Sequence, residues 1–218
     1  MTTEQMKTMK SWDDYFGNNI TRPVEPAILA KIDSALKLLP PNSKVLDAGC
    51  GCGKYSVYVN EKGFGVTGID YSAEAVAVAK KKTDKTNGLK FDCVKLDGVL
   101  PYKDESFGMV MCVNTLHCLY DDLRQNAIDQ MKRVLKKNGV LYLTVLSTRD
   151  KYLPRKLWQL IGDNTYKDAW SDRIFHFYTK KEITEKLKGF KIADYELLKI
   201  MVRADKQEQL HSLICVKS

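Results

Sequence analysis

The sequence predicts an α/β fold: a parallel sheet flanked by helices and closed by a C-terminal antiparallel hairpin. Three observations predict it. Short apolar runs alternate with helical stripes along most of the chain, the pattern of strand–helix–strand crossovers. One early strand enters a glycine-rich turn, Gly49-Cys50-Gly51-Cys52-Gly53, that opens a helix. The last thirty or so residues, about Phe190 to Lys217, hold two strand-like runs with no helical stripe between them.

Each element has its own signal. Ile28, Leu29, Ile32, Leu36 and Leu39 form a helical stripe over residues 24–39 that stops at Pro40-Pro41. Lys44 to Asp47 is a short strand running into the glycine turn, and the helix behind it is closed near Glu61 by Gly63. Phe64 to Ile69 is the second strand. Ser72 is a good N-cap for a helix ending at Asn87-Gly88. Leu89–Lys95 and Ser106–Val113 are the third and fourth strands. Asp122-Leu123-Arg124-Gln125 has the spacing of a capping box, for a helix ending at Asn138-Gly139. Val140–Leu146 is the fifth strand. Thr179 to Glu182 is a second capping box, for a short helix ending at Gly189. Phe190–Arg203 and Leu210–Lys217 form the terminal hairpin, with His211 expected on its polar face. Residues 1–43, an N-terminal helical cap, and 148–178, an aromatic-rich insertion, stand outside the alternation. Both are candidate lids over the strand ends.

Bulk properties narrow the function. A chain of 218 residues is one ordinary domain, with room for a small cap. With 44% hydrophobic and 28% charged residues it is neither disordered nor low-complexity. Its longest apolar run falls far short of the roughly 20 residues a membrane helix needs, and residues 1–14 lack the apolar core of a secretory signal. The six cysteines are few and lie mostly in apolar segments, which fits free thiols in a reducing cytoplasm. Cys50-x-Cys52 lacks a second pair, so no zinc site is expected.

The chemistry concentrates at the glycine turn. Asp70 ends the second strand 17 residues after Gly53, where a carboxylate can accept both hydroxyls of a ribose. Asp47 heads the turn. A carboxylate there repels a pyrophosphate and favours a cation. S-adenosylmethionine has no phosphate and carries a sulfonium and an ammonium. The position of the third glycine in a dinucleotide fingerprint holds Ser56 instead. Both features favour S-adenosylmethionine over a dinucleotide.

The stretch Val45-Leu46-Asp47-Ala48-Gly49-Cys50-Gly51-Cys52-Gly53 resembles the first motif of the class I S-adenosylmethionine-dependent methyltransferases. Asp70, followed by Tyr71, matches the family's ribose acid. Leu96-Asp97-Gly98 matches its adenine-side motif, with adenine contact and loop solvation both open for Asp97. Ser106 to Val110 is similar to its fourth strand, with Gly108 where Asp is usual. Val113-Asn114-Thr115-Leu116-His117 looks like its post-strand loop, and Arg133 to Leu141 is similar to its Arg-Val-Leu-Lys-Pro-Gly-Gly motif. The resemblance covers about residues 40–147 and looks most like the small-molecule branch (methyltransferase type 11, tellurite-resistance-like).

The resemblance implies a Rossmann-like, doubly wound, seven-stranded sheet in three α/β/α layers, with the methyltransferase domain over 44–218. It implies S-adenosylmethionine bound by Asp47, Ala48, Gly49, Cys50, Gly51, Gly53, Asp70, Tyr71, Leu96, Asp97, Gly98 and Asn114. The acceptor is expected to be a small molecule. Asn114 and His117 are the first catalytic candidates, His117 either as a base or as a structural residue. Tyr15, Arg22, His117 and His176 are candidate substrate contacts, His176 also a candidate packing residue. Two alternatives stand beside this: an RNA methyltransferase, and a non-catalytic methyltransferase-like binding protein. The formal charge of +8 motivates the first. Against it, the loop lacks the Asn/Asp-Pro-Pro-aromatic motif of exocyclic-amine methylation, and many of the lysines cluster on helices expected to be solvated outer faces. The chain is expected to act as a monomer or homodimer without nucleic acid or membrane.

Overall fold

The computed structural model describes residues 2–17, 23–81, 88–96, 98–150, 158–203 and 206–218. Its elements are α1 (Thr3–Gly17), α2 (Pro26–Leu36), β1 (Lys44–Ala48), α3 (Lys54–Glu61), β2 (Gly65–Asp70), α4 (Ala73–Lys80), β3 (Leu89–Cys93) and β4 (Phe107–Val113). A 3-10 turn over Leu116–Cys118 follows. Then come α5 (Asp121–Val134), β5 (Leu135–Leu146), β6 (Trp158–Gly162), β7 (Thr165–Asp168), β8 (Ile174–His176), α6 (Lys180–Lys186), β9 (Phe190–Arg203) and β10 (Lys206–Lys217).

Seven strands form one sheet in the order β3-β2-β1-β4-β5-β10-β9. β1 runs parallel to both β2 and β4, and β10 is antiparallel to both β5 and β9. The strand order reverses between β1 and β4, so a crevice opens beyond their carboxyl ends, where ligands bind in open α/β sheets. This is the doubly wound, Rossmann-like sheet with an antiparallel C-terminal hairpin.

Strand periodicity explains the layers. Met109, Met111 and Val113 of β4 pack into one core with α2 and α3, while Val110 and Cys112 pack into the other with α5. Successive side chains point to opposite faces, so a strand covered on both sides reads as a continuous apolar run. Ile28 and Ile32 of α2 and Ala127, Ile128 and Met131 of α5 supply fully or almost fully buried faces for the two layers.

Four local expectations are corrected or refined. Asp122 is not the N-cap of α5: the helix starts at Asp121, and Tyr120 in the N-cap position makes no side-chain cap bond. The same helix ends at Val134 rather than Asn138-Gly139. Leu135 turns extended, and a register shift within residues 135–140 takes up the kink, with Asn138 left-handed at φ 61°. Thr179 does cap α6, its hydroxyl accepting from Glu182 N–H. The Glu182 carboxylate, however, reaches His176 Nε2 at 2.7 Å. His211 is not on a solvated face but buried: its Nε2 donates to the Tyr178 carbonyl at 2.8 Å, and its Nδ1 lies 3.0 Å from the Tyr195 hydroxyl. The α6 side of the sheet covers that face, so strand alternation alone misplaced it.

Ser72 caps α4 as expected, accepting from Ala75 N–H. The end expected for that helix at Asn87 lies outside the described residues. Within 148–178, β6, β7 and β8 form a small antiparallel sheet of their own. Among the described residues no helix is long and apolar enough to cross a membrane.

Candidate active site

The glycine turn is built by crowding from two sides. Gly49 has φ +81°, and a Cβ there would lie 2.2 Å from the Thr115 side chain. Gly53 has φ +76°, and its Cβ would lie 2.5 Å from the Phe91 ring. Only glycine supplies both the left-handed backbone and the missing volume. Gly49 and Cys50 N–H both donate to the Ile69 carbonyl at 2.8 and 2.9 Å, which ties the turn to the end of β2.

Two carboxylates frame this turn. Asp70 Oδ2 accepts from Gly51 N–H at 2.8 Å and Oδ1 from Ser72 N–H at 3.0 Å. Burial raises its pKa, opposed by those backbone donors. Asp47 is buried in β1, and Ser56 Oγ donates to its Oδ2 at 2.6 Å. Burial pushes the Asp47 pKa up to about 7, helped by the nearby Asp70 charge and opposed by the Ser56 bond and Lys54. In the sequence Ser56 stands where a dinucleotide fingerprint has its third glycine; in the structure it is the donor to Asp47, because the first turn of α3 faces β1.

The loop after β4 packs onto the turn. Asn114 sits in the left-handed region at φ 56°. Its N–H donates to Thr144 Oγ1 at 3.0 Å, and that hydroxyl donates back to Asn114 Oδ1 at 2.9 Å. Thr115 Oγ1 reaches the Gly49 carbonyl at 3.1 Å. His117 is buried in the 3-10 turn, and its Nδ1 accepts from Leu146 N–H at 3.4 Å. That bond keeps the lone pair on Nδ1 and the proton of the neutral ring on Nε2. The ring is therefore held as a donor at Nε2; acting there as a base would require breaking the Leu146 bond.

These elements line one cleft of about 470 Å³, within the range of small-molecule sites. Asp47, Gly49, Cys50, Gly51, Asp70, Tyr71, Leu96, Asn114, His117 and Tyr15 all face it. Ala48 and Gly53 shape the turn behind its surface, and Gly98 lies off it. Arg22 and Asp97 lie outside the described residues. His176 is placed elsewhere: it is buried between Thr165 Oγ1 and Glu182 Oε1, each at 2.7 Å, and lines a separate cavity beside α5. Both ring nitrogens serve to tie the small sheet to α6, so the candidate substrate contact becomes a structural link.

Helix α1 roofs the cleft. The Phe16 ring lies within contact distance of the space above Gly51, and the Tyr71 hydroxyl donates to the Met9 carbonyl at 3.1 Å. Thr8 Oγ1 donates to the Asp172 carbonyl at 2.7 Å, joining α1 to the small sheet. Trp12 meets Phe175 edge-on at 6.0 Å, and Trp158 stacks on Phe175 at 4.9 Å. Arg173 lies over the Trp12 and Tyr15 rings. Sequence reading singled out the aromatic segments but not Arg173, since a lone arginine in an insertion carries no local signal. Among the described residues no group of three or more His, Cys, Asp and Glu is arranged to hold a metal ion.

The cleft fits S-adenosylmethionine by its own chemistry. A glycine-lined turn leaves room where side chains would block a ligand, a buried carboxylate suits a cationic group, and Asp70 suits a diol. The thiol of Cys112, fully buried, is pushed up to about 12 by burial, which removes it as a nucleophile near neutral pH.

Residues 46–143 match the protein family described as "Methyltransferase domain". The chain is 28% identical over 143 residues to a malonyl-[acyl-carrier protein] O-methyltransferase of Enterobacter lignolyticus, covering 65% of this chain and 55% of that protein. It is 32% identical over 142 residues to the 2-methyl-6-phytyl-1,4-hydroquinone methyltransferase of Synechocystis, covering 64% and 44%. The chain thus spans about half the length of the curated relatives it matches. The crystal structure of an S-adenosylmethionine-dependent methyltransferase from Methanosarcina mazei shares the fold, with a TM-score of 0.70 and 24% identity over 89% of this chain and 98% of that one. The family match over 46–143, the ordered motifs and the sheet topology agree with one another, and in all three the chain resembles the class I S-adenosylmethionine-dependent methyltransferases.

Proposed function

We propose that this protein binds S-adenosylmethionine and transfers its methyl group to a small-molecule acceptor. The observation that carries the reading is the pair Asp47 and Asp70, set at the ends of adjacent strands with the glycine turn between them. In this reading Asp70 takes the ribose hydroxyls, supported by the Gly51 and Ser72 N–H bonds that hold its carboxylate. Asp47 presents a carboxylate, backed by Ser56, to the cationic amino-acid end. When bound, the cofactor supplies an already activated methyl group, displaced in line from sulfonium sulfur by the acceptor's lone pair.

The chain's own task is then position and dryness. Asn114, held in a left-handed turn by Thr144, fixes the loop that borders the reacting region. His117, with its proton on Nε2, serves as a hydrogen-bond donor rather than a base. An acceptor that is already ionised, or loses its proton to water, suits such a site. The α1 roof and the Trp158–Phe175 wall exclude solvent and leave a slot for a small, partly apolar molecule. The two curated relatives named above act on a malonyl group on a carrier protein and on a hydroquinone, as their names state, which supports the small-molecule reading, while another relative, 34% identical over 116 residues, is named as a tRNA methyltransferase, so RNA belongs in the test.

The test is calorimetry with S-adenosylhomocysteine and, separately, NAD. Binding of the first at micromolar concentration and not of the second is expected; the reverse overturns the reading. A turnover assay against pooled metabolites, thiols and total RNA in parallel then separates acceptor classes. Steeply salt-dependent turnover of RNA alone would replace the small-molecule reading.

A further inference from the structure

One cation on the cleft wall has its rear fixed and its front open. Arg173 directly precedes β8 and lies half-buried against the cleft. Its guanidinium carbon is 4.8 Å from the Trp12 ring centroid and 4.9 Å from that of Tyr15, a two-ring clamp of the cation–π kind. Its Nε donates to Ser171 Oγ at 2.9 Å, and Ser171 Oγ donates to Asp168 Oδ2 at 2.6 Å. The plane of the guanidinium is therefore set from behind.

The two acids nearest in the chain are engaged elsewhere. Asp172 pairs with Lys167 at 2.7 Å. Asp168 accepts from Ser171 and from Trp170 N–H. Among the described residues no carboxylate forms an ion pair with Arg173, and neither terminal nitrogen makes a hydrogen bond. A partly desolvated guanidinium with two unused terminal NH2 groups is completed by an anion. Its fork matches a planar carboxylate in two parallel bonds, which a lysine does not reproduce. The neighbouring wall is flat and apolar: Trp158 stacks on Phe175, and Phe177 lies 6.4 Å from Trp158.

We propose that Arg173 receives the carboxylate of the methyl acceptor, and that the acceptor is an acid with a planar or apolar body. The proposal rests on the methyltransferase reading above. The aromatic wall holds the body, and the clamped guanidinium sets which end of the molecule points away from the reacting atom. The cofactor's own amino-acid carboxylate has the same chemistry, so the test separates the two sources.

The intact chain is first titrated with S-adenosylhomocysteine and with 5′-methylthioadenosine, which lacks the amino-acid end. The S-adenosylhomocysteine-loaded protein is then titrated with indole-3-acetate, 4-hydroxybenzoate and octanoate, each against its carboxamide. At least one acid is expected to bind tenfold or more tightly than its amide. Arg173→Gln should abolish that preference, and Arg173→Lys should keep only part of it, because it retains the charge without the fork. Both variants should change S-adenosylhomocysteine affinity less than about twofold. Acids binding no better than amides would overturn the proposal. So would an Arg173→Gln variant that weakens S-adenosylhomocysteine tenfold and spares methylthioadenosine, because the guanidinium would then serve the cofactor. Arg173→Lys guards against a folding defect, since it leaves the clamped cation in place. Failure of the unaltered chain to bind S-adenosylhomocysteine would instead overturn the methyltransferase reading, and is seen in the first titration.

Discussion

Asp47→Asn isolates the feature on which cofactor choice turns. The Asp47 pKa lies at about 7 because burial disfavours the charge. A cationic ligand binds the carboxylate form, so binding couples to its ionisation. With that pKa, the group is about nine-tenths ionised at pH 8 and about one-tenth at pH 6. Affinity should therefore fall about tenfold across this interval, or about 1.4 kcal/mol. Asn has no such equilibrium, and its profile should be flat by comparison, with weaker binding at pH 8. Stability carries the opposite sign. Because the folded pKa is raised, the protein without ligand is stabilised by the protonated acid at low pH. It loses that contribution as pH rises from about 4 through about 7, by an amount approaching 4 kcal/mol. The Asn variant should gain in melting temperature relative to the unaltered chain as pH rises through that window. Calorimetry at both pH values and thermal unfolding from pH 5 to 8 measure the two effects. A pH-independent affinity in the unaltered chain, or the same slope in Asp47→Asn, would refute the argument.

Three further outcomes are expected. Gly49→Ala places a Cβ 2.2 Å from Thr115 at a left-handed backbone; it should cost about 2–4 kcal/mol in urea unfolding and abolish S-adenosylhomocysteine binding. Phe16→Ala removes the ring over Gly51. It should weaken S-adenosylhomocysteine roughly tenfold and speed amide exchange over residues 3–17, while the melting temperature of the seven-stranded sheet moves little. His176→Ala breaks the Thr165–His176–Glu182 link. A loss of about 1–3 kcal/mol in stability is expected with S-adenosylhomocysteine affinity unchanged; unchanged stability with weakened ligand binding would return His176 to the site.

The parts legible in the sequence are those fixed by local rules. Gly49, Gly51 and Gly53 announce a turn because left-handed backbone excludes side chains, and all three do have positive φ. Asp47 and Asp70 are read from their places at strand ends, since a strand carries its last residue to a known edge of the sheet. Ser72 and Thr179 announce their helices because an N-cap hydroxyl acts on an N–H three residues away. The C-terminal hairpin is read from two long runs with no crossover helix.

Long-range choices were out of reach for the same physical reason that makes them matter. Whether Glu182 completes its capping box or turns to His176 depends on a partner six residues away on another element. Whether His211 meets water or the Tyr178 carbonyl depends on what covers β10. The proton placement on His117 depends on Leu146, 29 residues further along the chain. Arg173 is clamped by Trp12 and Tyr15 from the opposite end of the chain, and no spacing rule connects them. By itself the sequence determined the sheet, the glycine turn and the two acids, because backbone conformation and strand alternation are local. Only the tertiary structure decided which histidines are buried against partners and that Arg173 reaches the cleft wall, because a side chain's surroundings are set by whatever packs against it.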